Sequence, residues 1–533
     1  MSAAGAKIAP VSARTTRACV AVVLASQASL AGGAAEGASG SGWSSPRPLS
    51  SCAAAVGPRV AFPSESPTIP TGPGAIVWLE EPACAGRPAP STRSPLDISL
   101  AALGPGERPA LTGSAPLPGR STGGLAAVGA SEGRVAVAAT LGEGGPSPAL
   151  ALLQARATRP LGAGTLLSGR GPLFSLAHAY LGDAAVATVQ PGIAIEVRVE
   201  RYFRSGFEQP LRIPIGAARV SALAATMDYR SDVLVAWQEN GAIYAHMLRA
   251  SGRAEPTQRV GTSAPGPQLQ ALVSDNDHGM IAWSSGDVPS PGARTSVRIA
   301  FSGAGVRFAG SRLVASFADP EGAGHAPGAL ALARLSTENV MLAWTEAEGG
   351  HYVVRAAPAV FAGTHPAARL SDPVEQSVLD GLAPGPAGEA VAIWSSTPAG
   401  SAFDPTRNEL WADRTFVERH GRVGVRASEL VAPAGPNAAP SLAIDPASDH
   451  AVAAWLTLGP HPGVESAAGP GASGYRPRTL AAAAQPGSRT HWVRIALAAA
   501  GAAAIVALMI LALRRRARSR DAGGANTGMR RRR

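Results

Sequence analysis

The stretch "VLVAWQENGAIYAHMLR", Val233–Arg249, decides the fold class of this chain. Its first five residues are all apolar, the chain turns polar at Gln238–Gly241, and a second apolar stretch follows. A strand with one face in water alternates apolar and polar residues, so an unbroken apolar strand needs cover on both faces. The segment therefore predicts a hairpin whose first strand lies between two other sheets.

Close copies of this apolar run recur along the chain. Six copies end in tryptophan, at Trp78, Trp237, Trp283, Trp344, Trp394 and Trp455. Two weaker copies lack tryptophan and end near Ala139 and Thr188, and the eight copies are spaced 46 to 61 residues apart. Self-similarity at such a period indicates a repeat architecture.

Each repeat holds four short apolar stretches separated by turn residues, with the tryptophan run second. Four short strands per unit predict an all-β chain folded as a β-propeller of seven or eight four-stranded blades. Alanine before the tryptophan lets neighbouring sheets approach, and the indole fills the gap between blades, burying about 200 Å². A helical solenoid disagrees with the apolar spacing. A chain of β-sandwich domains, which also needs short strands and regular turns, stays open as an alternative.

Composition and charge narrow the class of protein. Gly (62) and Pro (46) make up 108 of the 533 residues, which argues against long helices. Of the net charge of +10, the last twenty residues contribute +8 and Lys7, Arg14 and Arg17 contribute +3, so the middle carries −1. The sequence therefore lacks the basic stripe that phosphate binding needs, and we expect no nucleic-acid partner.

The two ends predict a single-pass membrane topology. Nineteen uncharged residues at 495–513 match the thickness of a bilayer core and precede a basic tail at 514–533, which the positive-inside rule places in the cytoplasm. Residues 1–35 are typical of a signal peptide. We expect a linker at 36–51, an extracytoplasmic propeller at 52–487, and a juxtamembrane segment at 488–494. The predicted location is the cell membrane.

Three cysteines are present, and Cys19 would be removed with the signal peptide. Cys52 and Cys84 remain as an even pair in an oxidising compartment. A bridge between them would contribute about 3–4 kcal/mol, although two free thiols are the open alternative.

The repeat motif, as in "AVAAW" at Ala451–Trp455, resembles that of uncharacterised secreted or membrane-anchored β-propeller proteins of GC-rich Gram-positive bacteria. The resemblance covers about residues 52–487. It implies the fold and brings no agreed activity.

The candidate chemical groups are few. "SDNDHG", Ser274–Gly279, has the start of a calcium loop but lacks the later ligands, and a turn explains it better. The acids Glu80, Glu81, Glu239 and Glu346 follow tryptophan strands and would share one rim of a propeller. Ten histidines are scattered without a metal or catalytic motif. We therefore assign no catalytic, metal or cofactor residues and expect no cofactor.

Three functions remain open. The first is a binding module at the cell surface with an extracellular protein or glycan ligand. The second is an extracellular glycan hydrolase or lyase with its site on one propeller face, and the third is a purely structural surface protein. Charged and aromatic groups with raised carboxylate pKa values in the axial funnel would favour the enzyme, whereas a funnel lined by small residues would favour binding or structure.

Overall fold

The computed structural model of the 533-residue chain describes part of it. The described residues are 42–471, except for 51–53, 64–71, 82–95, 104–108, 118–119, 131–132, 143–148, 158–164, 168–172, 180–182, 202–206, 217–218, 254, 265–267, 275, 287–293, 304–306, 319–328, 337–338, 361–362, 387, 399–402, 405, 419–420, 427 and 459–461. Among these residues there is no helix long and apolar enough to cross a membrane. The predicted signal peptide, membrane helix and basic tail, and both Cys52 and Cys84, lie outside them.

The described chain forms 34 strands in eight sheets. The first four sheets, which we call blades I to IV, follow the short strand β1 (Arg47–Ser50) and contain β2 (Ala54–Ala61), β3 (Gly74–Glu80), β4 (Asp97–Leu103) and β5 (Pro109–Pro116); β6 (Arg120–Ala130), β7 (Arg134–Gly142), β8 (Ala149–Arg156) and β9 (Thr165–Leu167); β10 (Phe174–His178), β11 (Ala184–Gln190), β12 (Ala194–Glu200) and β13 (Leu211–Pro214); and β14 (Val220–Met227), β15 (Val233–Glu239), β16 (Ala242–Leu248) and β17 (Gln258–Thr262).

Blades V to VIII complete the molecule. They contain β18 (Gln268–Val273), β19 (Gly279–Gly286), β20 (Arg294–Phe301) and β21 (Arg312–Ala318); β22 (Ala331–Arg334), β23 (Asn339–Glu348), β24 (His351–Val360), β25 (Gly363–Thr364) and β26 (Ala368–Arg369); β27 (Gln376–Pro384), β28 (Glu389–Thr397), β29 (Asn408–Val417), β30 (Val423–Val425) and β31 (Glu429–Gly435); and β32 (Asn437–Ile444), β33 (Ala451–Thr457) and β34 (Gly463–Ala468) together with β1.

Within each blade the strands pair antiparallel, and we call them a, b, c and d in order from the axis outward. In blades VI and VII two short strands share position d, because both pair with strand c. Strand a of every blade contacts strand a of both neighbouring blades, the first blade and the last included, so the ring is closed. The described residues therefore form an all-β propeller of eight blades, which confirms the predicted β-propeller and decides between seven and eight blades. The two repeats without tryptophan form blades II and III.

Strand b is covered on both faces, as its unbroken apolar sequence predicts. In blade IV, Val233, Val235 and Trp237 pack toward blade III, whereas Leu234 and Ala236 pack toward blade V. Because side chains alternate across a strand, both parities must be apolar when a neighbouring sheet lies on each side. Eight apolar clusters of this kind occupy the eight junctions between blades.

The six repeat tryptophans are all buried, with exposed fractions of 2% or less. Each packs against the preceding blade, as Trp78 does against blade VIII and Trp283 against blade IV. The junction between blades II and III has Thr188 at the equivalent position, and its apolar cluster instead draws on leucines of blade II, Val186 and the partly buried Phe174. Indoles thus fill six of the eight gaps, whereas the clusters I–II and II–III are built without one.

The ring closes through the start of the described chain. Strand β1 pairs antiparallel with β34, with Arg47 opposite Ser466, and becomes strand d of blade VIII. The sequence predicts only a linker at 36–51, yet part of it completes the last sheet. Because strands from both ends of the repeat region combine in this way, blade VIII has a complete set of four strands.

Candidate functional site

The axial channel holds a cavity of about 490 Å³ at the ends of the a strands. Six blades line it, and the lining consists of apolar side chains, Gly and Pro, with three polar side chains, His178, Arg334 and Ser336. This end of the ring carries the corners between strands a and b, and we call it the a–b face. A cavity of this size with few polar groups has the character of a ligand pocket.

The two ionisable groups in the cavity occupy equivalent positions in the repeat. The last residues of the eight a strands are Ala61, Ala130, His178, Met227, Val273, Arg334, Pro384 and Ile444. Only blades III and VI therefore place an ionisable side chain there. Repeat alignment of the sequence gives this signal, because a polar residue stands where the other copies are apolar, but the scattered histidines hide it when each is considered alone.

Arg334 sets the charge of the cavity. Burial in the channel lowers the pKa of His178 to about 4, and the positive charge of Arg334 adds to the effect. His178 lines the cavity, and its side chain is partly exposed there. At neutral pH the imidazole is uncharged, and the guanidinium is the one formal charge among the described residues that line this cavity.

Close backbone packing shapes the same end of the channel. Gly129 lies on strand a of blade II, and a Cβ at this position would overlap the carbonyl of Phe62 in blade I. Glycine is therefore required there by space and not by its dihedral angles. The contact brings the first two blades together beside the cavity.

The acids that follow tryptophan strands do not belong to this cavity. The indole Nε1–H of Trp78 donates to Glu80 Oε2 at 2.8 Å, and Trp344 donates to Glu346 Oε2 at 3.0 Å. Glu239 accepts the equivalent bond from Trp237 at 3.3 Å. Residues i and i+2 of a strand share a face, so the spacing Trp-x-Glu places acceptor beside donor. These acids are structural acceptors at the b–c corners, and Glu81 is exposed.

The loop Ser274–Gly279 contributes to an acidic cluster on the a–b face. Asp275 lies outside the described residues, but Asp277 comes within 4.8 Å of Asp228 and Asp232 of blade IV. Three carboxylates at this separation have the spacing of cation ligands. Burial raises the pKa of Asp228 to about 6, with the neighbouring carboxylates adding to it.

Two arginines already neutralise this cluster. Arg249 Nη1 lies 2.8 Å from Asp232 Oδ2 and 3.2 Å from Asp277 Oδ1, and Arg230 Nη1 lies 3.2 Å from Asp277 Oδ2. Asp277 has a left-handed φ of 61°, as expected at a tight corner for Asp. The cluster is therefore an ion-pair network that joins blades IV and V, and the turn interpretation of this loop describes it best.

One carboxylate on an a strand has a strongly perturbed pKa. Asp380 is the extra residue at a bulge in β27, between Leu379 and Gly381, and Ser395 Oγ donates to its Oδ2 at 2.7 Å. Burial raises the pKa of Asp380 to about 7 against the opposing effect of the bonds from Ser395. A carboxyl group that is protonated near neutral pH has the property of a general acid.

No protein family model matches this chain, and no curated protein matches it. Among solved structures, a prolyl endopeptidase aligns with a TM-score of 0.39 and 11% identity over 75% of this chain. The aligned region spans 54% of that enzyme, about half its length. The NanB sialidase from Streptococcus pneumoniae aligns with a TM-score of 0.34 and 9% identity, over 80% of this chain and 94% of the sialidase.

AofleA from Arthrobotrys oligospora aligns with a TM-score of 0.32 and 12% identity, over 57% of this chain and 86% of that protein. Similarity at this level carries no information about activity.

Proposed function

We propose that this protein is a binding module, and that the cavity on the a–b face receives an apolar peptide segment that carries one negative charge. The observation that supports this is the chemistry of the lining, in which Arg334 carries the one formal charge among the described residues and the other groups are mostly apolar side chains and backbone. A guanidinium in an apolar cavity attracts a carboxylate and forms two parallel bonds with it.

The same lining is poorly suited to a glycan. A sugar brings many hydroxyl groups, and each needs a hydrogen-bond partner when it leaves water. Among the described residues that line the cavity, only Ser336, His178 and Arg334 offer polar side chains. An apolar peptide makes fewer such demands and gains from contact with the alanine, valine and leucine side chains.

The site is proposed to lie outside the cell. This part of the proposal rests on the sequence at 1–35 and 495–513, with the basic tail at 514–533 held inside by its charge. Protease treatment of intact cells tests the topology. We expect digestion of the propeller and protection of a tag at the C-terminus, whereas an accessible C-terminal tag would contradict it.

The binding proposal is tested with the full-length protein and a fluorescent Leu/Ala pentapeptide that has a free C-terminal carboxylate. We expect tighter binding of this peptide than of its C-terminal amide, and Arg334→Gln should weaken the carboxylate form by about tenfold, as a charge-assisted bond is worth about 1.5–3 kcal/mol. Arg253→Gln is the control, because Arg253 is 75% exposed and lies outside the cavity. Equal binding of both peptides, or no binding, would contradict the proposal.

Asp380 favours a second candidate, an extracellular glycan hydrolase that uses this carboxyl group as its general acid. Its raised pKa is the supporting observation. Release of reducing sugar from cell-wall polysaccharide by the wild type, and loss of this release in Asp380→Asn, would favour the enzyme. Glycosidases need a second carboxylate about 5–10 Å away, and the described residues that line the axial cavity include neither Asp380 nor another carboxylate.

A further inference from the structure

A second cavity, of about 190 Å³, lies at the junction of blades VII and VIII. Strand c of blade VII provides Asp413 and Arg414, and β31 and the turn before it provide Glu429 and Arg426. The beginning and end of the described chain also reach it, through Trp43 and Gly471. None of these residues belongs to the axial cavity.

Asp413 is buried in the wall of this cavity, and its carboxylate oxygens have no hydrogen-bond donor with normal geometry among the described residues. The residue is 3% exposed, and neither carboxylate oxygen accepts a hydrogen bond of normal length and angle from the described residues. The backbone N–H groups of Arg414 and Arg426 and the hydroxyl of Ser428 lie near it and favour its charged form only in part. A buried carboxylate left in this state is destabilising, so its presence needs an explanation.

The nearest cations are engaged elsewhere. Arg414 donates to the carbonyls of Asp449 and Pro470 at 2.6 and 2.7 Å, and its Nη1 lies 3.3 Å from Asp449 Oδ2 and 3.4 Å from Glu389 Oε2. Arg426 Nη2 lies 3.2 Å from the other oxygen of Glu389. Glu389 and Asp449 thus balance the two arginines.

Two carboxyl groups of the cavity wall are left over in this balance, those of Asp413 and Glu429. Glu429 is half-buried, so the cavity reaches solvent on its side. An acidic excess in a partly closed space attracts a cation. Trp43 adds an indole to the wall, and indoles attract cations over their faces.

We propose that this cavity binds a primary ammonium group at the end of a short carbon chain. An ammonium has three N–H donors and no acceptor, which matches a wall with unpaired carboxylate oxygens. Water occupies about 30 Å³ per molecule, so the volume holds about six waters or one chain the size of a lysine side chain. The bound ammonium would donate to Asp413 in the interior, with Glu429 near the opening.

Proton and ammonium compete for the same carboxylate. Burial raises the pKa of Asp413 to about 7, the negative charge of Glu429 contributes, and burial also raises the pKa of Glu429. Among the described residues, the other charged or titratable groups named at this junction are Arg414 and Arg426 with their partners Glu389 and Asp449, and His450 beside Gly471. Because the ligand displaces a proton, binding should be about 30-fold weaker at pH 5.5 than at pH 8.5.

The test titrates the full-length protein with n-butylammonium at pH 8.5 and pH 5.5 and follows binding by calorimetry. Butan-1-ol and butyrate are the neutral and anionic controls. We expect binding of the ammonium alone, weaker at the lower pH, and a loss of at least tenfold in Asp413→Asn. Glu429→Gln, on the half-buried side, should weaken binding several-fold, and Asp372→Asn, an exposed acid elsewhere in blade VII, should leave it unchanged.

Each contrary result overturns the proposal. The proposal fails if butylammonium does not bind at about 50 mM. It also fails if butan-1-ol binds equally well, or if Asp413→Asn leaves binding unchanged. A pH dependence that persists in Asp413→Asn would also overturn it, because a group other than Asp413, such as His450, would then titrate. Nα-acetyl-lysine amide and glucosamine then distinguish a lysine side chain from an amino sugar as the source of the ammonium. Neither result depends on ligand binding in the axial cavity.

Discussion

Trp78 and Glu80 form a hydrogen-bonded pair two residues apart on one strand, and this pair recurs at Trp237–Glu239 and Trp344–Glu346. In blade I the pair extends to the closing strand, because Ser50 Oγ of β1 donates to Glu80 Oε2 at 2.7 Å. Ser99 of the neighbouring strand also donates to Glu80. The glutamate therefore ties the indole, strand c and the last sheet of the ring together.

The first prediction concerns this pair. Trp237→Ala should lower the free energy of unfolding by about 3–5 kcal/mol, because it opens a large cavity between blades III and IV. Trp237→Phe should cost less, about 1–3 kcal/mol, because it keeps an aromatic ring in the gap. The remaining loss comes from Glu239, which is 7% exposed and loses its indole donor. Urea unfolding followed by circular dichroism checks both. Equal losses in the two variants would contradict the cavity as the main cause, and no loss in Trp237→Phe would contradict the role of the indole N–H.

The second prediction concerns the ion pairs that join blades IV and V. Arg249→Met should destabilise the protein by about 3–5 kcal/mol, because it leaves Asp232 and Asp277 without their shared guanidinium. Arg253→Met is the matched control and should change stability by less than about 0.5 kcal/mol, since that side chain is 75% exposed. Thermal unfolding of both variants at low salt measures the difference.

The third prediction concerns Asp380 and pH. Its pKa rises from 3.8 to about 7 on folding, so the folded state binds the extra proton between these values. The contribution of Asp380 to the free energy of unfolding is therefore greatest below about pH 4 and is lost as the pH rises toward 7. Asp380→Asn should match the wild type at pH 4 and be more stable at pH 8 by a few kcal/mol, at about 1.4 kcal/mol per pKa unit. A variant that is less stable at pH 8 would refute the assignment.

The fourth prediction concerns His178, where the sign is opposite. Its pKa falls from 6.5 to about 4 on folding, so the unfolded chain binds more protons between these values. The stability from neutral His178 is present above pH 6.5 and is lost as pH falls toward 4. His178→Gln should flatten the unfolding free energy across this range. Nuclear magnetic resonance titration of the imidazole gives the pKa directly, and a value near 6.5 would contradict the predicted effect of burial on this pKa.

Local sequence pattern was enough to predict the propeller, its four-stranded blades and the strand that neighbouring sheets cover on both sides. The reason is that an unbroken apolar run such as Val233–Trp237 recurs at each blade, and a strand needs apolar residues at both parities only when sheets cover both of its faces. The Trp-x-Glu spacing was equally visible, since both side chains lie on one strand. The sequence alone indicates only a row of acids along one rim, because a hydrogen bond to an indole depends on side-chain geometry.

The channel and the Asp413 cavity were beyond sequence reasoning. His178 and Arg334 belong to blades III and VI, and only closure of the ring brings them to one cavity. The sequence predicts a linker where β1 lies for the same reason: its pairing partner, β34, is at the far end of the repeats. Periodicity reports which side chains a strand buries, whereas contacts between distant repeats and the balance of charge in a cavity depend on how the whole ring is assembled.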